Sequence, residues 1–214
     1  MEFGNAPLNI ETKRKLAGFF ESGRLPHALL LEAGTEQGRN SLANLLARGA
    51  VCHLFGTGGS GTFPCGECPN CRKALAGSHP DLYTAGGGLG PALRVDEIRR
   101  IRAEAFVRPN EANRKVYLLL ESQEMTEQAQ NALLKVLEEP PPNVLFLLTA
   151  PSSSLLLNTI RSRVQSIRLE EQEKAEDPEL LERVAAIAQA VCLPGEAELL
   201  YRTAPLIRDK EALR

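Results

Sequence analysis

Five short apolar runs, at residues 28–33, 81–84, 116–120, 144–148 and 165–169, are separated by stretches long enough to hold at least one helix. Apolar residues recur at helical spacing across residues 11–22, 40–50, 95–107 and 126–138. Thr126 suits an N-cap, and Pro140, Pro141 and Pro142 form a hard stop after the fourth helix. Strands alternating with helices predict a parallel sheet covered on both faces, the α/β architecture of nucleotide-binding domains. At 214 residues and 43% hydrophobic content the chain can bury such a core without disulfides. Its apolar runs are too short to span a bilayer and it lacks a signal-peptide layout, so a cytoplasmic location is expected. A net charge of -2 argues against a protein that coats nucleic acid by itself.

Two stretches interrupt the alternation. The glycine-rich segment 85–90 reads as a mobile surface loop without chemistry. The other, 52–71, holds four of the five cysteines, Cys52, Cys65, Cys68 and Cys71, in the pattern C-x12-C-x2-C-x2-C. The x2 spacing lets a tight turn, supplied by Pro64, Gly66 and Pro69, aim two sulfurs at one tetrahedral centre. Four thiolates leave no open position for water, so the expected zinc is structural. Unliganded buried thiols are the plain alternative. An iron–sulfur site is another, although the ferredoxin run needs a cysteine where Leu75 stands. His53 or His79 could replace one cysteine as ligand, and the isolated Cys192 reads as a core thiol.

A candidate phosphate loop follows the first strand: Gly34, Thr35, Glu36, Gln37, Gly38, Arg39, Asn40 and Ser41 lead into a helix. An active loop needs glycines that bare backbone N–H groups to phosphate, a lysine for the outer phosphates and a hydroxyl for magnesium. Ala33 replaces the first glycine, Arg39 the lysine and Asn40 the hydroxyl residue, while Glu36 adds a carboxylate where phosphate would lie. At the end of the third strand, Leu120 takes the place of a magnesium-binding Asp and only Glu121 survives, which alone reads as a solvated strand end. An ordinary βα turn therefore competes with a damaged P-loop.

The run Asn131-Ala-Leu-Leu-Lys-Val-Leu-Glu-Glu-Pro-Pro141 resembles the most recognisable motif of the bacterial clamp-loader family. Leu25-Pro-His-Ala-Leu-Leu, the Cys65–Cys71 knuckle, His79-Pro-Asp-Leu82, Val95-Asp-Glu-Ile-Arg99 and Thr159-Ile-Arg-Ser-Arg163 resemble further segments of that family in the same order. The resemblance runs from about residue 8 to residue 169. It implies an AAA+ module at residues 1–169 with the zinc insertion at 52–71, followed at 170–214 by part of a small helical lid, and no collar domain within these 214 residues. Residues 170–177 read as a linker, and 178–190, 196–203 and 206–213 as small helices.

Within the family the motor branch, gamma/tau, keeps an intact phosphate loop. The departures at Ala33, Arg39, Asn40 and Leu120 select the delta-prime branch, as does the lack of a nucleotide-sensing arginine near Pro194-Gly-Glu-Ala197. The resemblance implies a subunit that binds and hydrolyses no ATP of its own, with Gly34, Gly38, Arg39, Asn40 and Glu121 as remnants of the site. Its partners would be gamma/tau and delta subunits in a hetero-pentameric ring, the sliding clamp, and primer-template DNA reached through the complex. Ser162-Arg163-Val164 matches the family's Ser-Arg-Cys motif, so Arg163 is expected to act in trans on a neighbouring subunit's nucleotide. Two other readings stay open: an active motor ATPase, and a zinc module that binds nucleic acid through Arg94, Arg99, Arg100 and Arg102.

Overall fold

A computed structural model of the chain describes residues 8–57 and 64–170. The expected linker and lid helices beyond residue 170, the segment around Pro194 and Cys192 lie outside the described residues.

The elements follow the expected alternation. Helix α1 (Ile10–Glu21) precedes β1 (Ala28–Glu32), α2 (Glu36–Val51) and α3 (Pro69–Leu75). Then come β2 (Leu82–Gly86), α4 (Val95–Ala105), β3 (Lys115–Leu120), α5 (Glu127–Glu138), β4 (Val144–Ala150), α6 (Asn158–Arg161) and β5 (Gln165–Arg168). The five strands form one parallel sheet in the order β2-β3-β4-β1-β5. This is the predicted α/β class with its predicted strand count.

Alternation along the strands builds a core on each face. Leu30, Tyr117, Leu119, Phe146 and Leu148 meet Ile98 and Ile101 of α4, Leu133 and Val136 of α5 and Ile160 of α6. On the opposite face, Leu29, Leu31, Leu118, Leu120, Leu145 and Leu147 meet Leu16 and Phe20 of α1 and Leu42 and Leu46 of α2. Every residue of β4 is buried, as expected of a central parallel strand covered on both sides. Among the described residues no helix is long and apolar enough to cross a membrane.

Three local expectations change. Helix α2 starts at Glu36, four residues before the expected Asn40, because the Thr35 hydroxyl accepts from Gly38 N–H at 3.0 Å and caps it. The cysteine turn continues into α3, with Pro69 in its first turn and Cys68 as N-cap. Glycines 86 and 87, read as part of a mobile loop, pack tightly on the end of β3. A Cβ on Gly86 would stand 2.1 Å from the Leu120 carbonyl oxygen, and one on Gly87 2.9 Å from Leu120 Cβ. Both have positive φ, so glycine is required there for backbone freedom as well as space.

Candidate functional site

The loop after β1 turns on two consecutive left-handed residues, Ala33 at φ 62° and Gly34 at φ 63°. Alanine thus holds the conformation that suits the glycine it replaces, at a cost of about 1 kcal/mol. Beyond the turn, two of the loop's backbone donors are engaged within the chain. Gly38 N–H donates to the Thr35 hydroxyl, and Arg39 N–H donates to the Thr35 carbonyl at 3.0 Å.

Arg39 then fills the cradle. Its residue is 3% exposed, and Nη1 donates to the Gly34 carbonyl at 3.0 Å and the Ala33 carbonyl at 3.4 Å. Nη2 lies 3.0 and 3.1 Å from the two carboxylate oxygens of Glu121. Glu121 is 7% exposed, so it is no solvated strand end. It sits at φ 50° just past β3, its N–H donating to Thr149 Oγ1 at 2.9 Å and its Oε2 accepting from Gln123 Nε2 at 2.9 Å. Cation and anion, 82 positions apart in sequence, satisfy each other at the C-terminal ends of β1 and β3. Asn40 does not join them; it lines an open groove with Thr35, Gln37, Ser41 and Asn44. Glu36 is exposed beside the same groove.

At the cysteine centre the metal-ligating atoms of Cys52, Cys65, Cys68 and Cys71 all lie within 4.8 Å of one another. The Cys52–Cys65 and Cys65–Cys71 sulfur separations are 3.7 and 3.9 Å. Four sulfurs about 2.3 Å from a tetrahedral ion stand about 3.8 Å apart, so the set fits a single zinc. A multi-iron cluster, whose thiolates bind different irons, needs wider spacing. Cys68 N–H points at Cys65 Sγ (3.4 Å) and Cys71 N–H at Cys68 Sγ (3.3 Å), a pattern that favours thiolates.

Burial pushes the Cys52 and Cys71 thiols up. Burial also raises Cys68, but hydrogen bonds involving His53 and Cys71 outweigh it and bring Cys68 down to about 6. A dication held by the four cysteines would supply the positive charge that the buried set lacks. His53 lies 3.8 Å from Cys65 Sγ and is exposed, beside the centre but outside the four-sulfur set. His79 belongs elsewhere: its Nδ1 accepts from Asp81 N–H. Asp81, a residue for which the sequence suggested no role, takes the backbone N–H groups of Asn110, Glu111 and Ala112 at 2.6–2.8 Å.

Arg163 lies just past α6. Nη1 donates to the Thr159 carbonyl at 2.9 Å and the Ser162 hydroxyl at 3.1 Å, and Nη2 pairs with Glu138 Oε1 at 2.9 Å. Of the arginines on α4, Arg99 pairs with Asp96, while Arg100 pairs with Glu97 and Glu104. Two of the four arginines that suggested nucleic acid are therefore paired locally.

Fold and site together define an AAA+ P-loop-type domain whose phosphate cradle holds its own arginine and whose insertion carries a four-cysteine centre. A family model described as DNA polymerase III, delta subunit matches residues 9–173. The chain is 39% identical over 151 residues to DNA polymerase III subunit delta' of Haemophilus influenzae, covering 71% of this chain and 45% of that protein. To subunit delta' of Bacillus subtilis it is 32% identical over 192 residues, covering 89% and 56%. DNA polymerase III subunit tau of Escherichia coli is 33% identical over 189 residues, covering 88% of this chain and 28% of tau. The crystal structure of a DNA polymerase III, gamma subunit-related protein from Thermotoga maritima aligns with a TM-score of 0.52 at 20% identity, over 90% of this chain and 54% of that one. That likeness speaks for the fold alone.

The chain belongs to the DNA polymerase III delta-subunit family of clamp-loader proteins. It spans about half the length of the delta' relatives it matches.

Proposed function

We propose that this chain is a delta-prime-type, nucleotide-inert stator of the replicative clamp loader. It assists ATP-driven loading of the sliding clamp onto primed DNA, in the cytoplasm, within a hetero-pentameric ring of gamma/tau and delta subunits. The observation that carries the reading is the buried Arg39–Glu121 pair. Similarity reaches both delta' and tau proteins, so names alone do not separate stator from motor. The pair supports the stator reading: a nucleotide entering this cradle would have to expel a guanidinium and leave a buried carboxylate unpaired, which is strongly unfavourable. Leu120, fully buried at the end of β3, offers nothing to magnesium.

In this reading residues 1–169 form the AAA+ domain and 170–214 part of its lid. Zinc held by Cys52, Cys65, Cys68 and Cys71 is structural. Arg163 supplies the chemistry, reaching the γ-phosphate bound by an adjoining motor subunit. A permanently charged fork suits the charge that develops on a transferring phosphoryl group, and such fingers contribute about 10³–10⁵ in rate. DNA is met through the assembled complex, consistent with a net charge of -2.

The test is clamp-stimulated ATPase and clamp loading by a reconstituted complex carrying Arg163→Ala, with the exposed Arg168→Ala as control, after co-purification with the other subunits has been verified. Loss of only the share of ATPase that depends on this interface is expected for Arg163→Ala, and none for Arg168→Ala. A complex that assembles normally and loads clamps at the wild-type rate without Arg163 overturns the trans role.

A further inference from the structure

Three arginines surround α6 and β5, and they are held differently. Arg161 is exposed, and among the described residues its side chain bonds only to Asn158 Oδ1 within its own helix, at 3.0 Å. Arg168 is exposed on the edge strand and has no ion pair among the described residues. Arg163 is gripped by three groups: the Thr159 carbonyl, the Ser162 hydroxyl and the Glu138 carboxylate. The first two come from its own segment. Glu138 comes from the end of α5, inside the run that carries the family resemblance.

Helix physics does not ask for a glutamate at that position. The C-terminal end of a helix carries partial negative charge, which favours Lys or Arg and disfavours a carboxylate. Glu138 also caps nothing, since its only partner among the described residues is Arg163. Packing explains how the two helices meet: Gln130 of α5 donates to the Met125 carbonyl and accepts from Leu157 N–H, seating the start of α6 against α5. That seating brings Glu138 and Arg163 together from 25 positions apart in sequence.

We infer that Glu138 positions Arg163 for the neighbouring subunit's nucleotide, an inference that rests on the trans role proposed above. An arginine free to rotate loses substantial conformational entropy when it is fixed, and a guanidinium anchored beforehand loses less. Of its five N–H donors, Nη1 spends two on Thr159 and Ser162, and Nη2 faces Glu138. Nε–H has no partner among the described residues. Donor capacity for a phosphate oxygen therefore remains while the anchor holds. The side chains are 34% and 47% exposed, so the pair is accessible at the domain surface and its energetic contribution is small.

The experiment uses the reconstituted complex and reads clamp-stimulated ATPase as separate kcat and KM values for ATP. Glu138→Ala should lower the Arg163-dependent part of kcat by about two- to fivefold, the range of an exposed ion pair, with KM unchanged. Glu138→Gln, which keeps an acceptor oxygen without the charge, should fall between the two, and it replaces Glu138→Ala if that variant fails to assemble. In an Arg163→Ala background, Glu138→Ala should cause no further loss. An unchanged or faster rate in Glu138→Ala overturns the inference, the faster rate marking a restraint instead. So does an equal loss in the Arg163→Ala background, which marks a merely structural role. If Arg163→Ala itself has no effect, the trans role fails and the positioning role falls with it; if only Arg163→Ala has an effect, the positioning role alone is wrong.

Discussion

The cysteine centre and the phosphate cradle both gather charged or ionisable side chains into a buried spot, yet they make opposite demands on their surroundings. At the cysteine centre four sulfurs converge with no cationic side chain among them in the described residues, so charging the set calls for an external cation. In the cradle a guanidinium and a carboxylate meet at 3.0 Å and two backbone carbonyls take the other terminal nitrogen, leaving only Nε without a partner among the described residues, so the charge is balanced from within. Convergent charge of one sign indicates a ligand; convergent charge that cancels indicates that the ligand's place has been taken.

Removing metal should break the comparison most forcefully. In small zinc modules binding contributes about 10 kcal/mol or more of folding free energy. Here the module is tied to the rest by Asn70 Nδ2 to the Val51 carbonyl, by Lys73 to Glu111 and by Arg114 over the Phe55 ring. Chelation of the full chain, or Cys68→Ser, should therefore lower the melting temperature more than any substitution in the cradle. Elemental analysis should find one zinc per chain; finding iron, or no metal, would remove this half of the contrast.

Separating the buried pair comes next. Arg39→Ala or Glu121→Ala leaves its partner uncompensated and should each destabilise the domain by about 3–5 kcal/mol. The double variant should cost much less than the sum, because no unpaired charge remains. Additive losses in denaturant melts would show that the two groups act independently and that the cradle is not self-satisfied. The smallest effect is at Ala33, where Ala33→Gly relieves a left-handed φ of 62° and should raise stability by about 1 kcal/mol or less.

Much of this architecture was legible because short β-branched and apolar runs bounded by turn residues leave few alternatives to strands. The five strands appear where the runs predicted them, within two residues at each end. The early start of α2 is masked by Gly38, which reads as loop, although Thr35 three residues before it is a cap signal. Helix α3 is hidden by the cysteine spacing, which points to turns, yet Pro69 fits a helix start and Arg72 and Lys73 fit the last turn of a short helix.

The Arg39–Glu121 pair is not legible locally: nothing in either segment names the other, and only the sheet order brings the β1 and β3 ends together across β4. A clue did exist. Where the lysine and aspartate of a P-loop are both altered, a cation at the lysine's place and an anion just after the aspartate's place are brought near each other by such a fold. The partnership of Glu138 with Arg163 had no comparable signal, since it depends on how α6 seats against α5 through Gln130.

The most direct measurement of the central claim is calorimetric titration of magnesium-ATP into the full chain, wild type and Arg39→Lys, followed by a hydrolysis assay on the same preparations. A cradle occupied by its own arginine and lacking a magnesium carboxylate predicts no binding heat and no turnover for the wild type. It predicts none for Arg39→Lys either, because Leu120 and Asn40 still offer magnesium no carboxylate or hydroxyl. Saturable binding by the wild type with turnover abolished in Arg39→Ala would contradict the account and identify the chain as a motor.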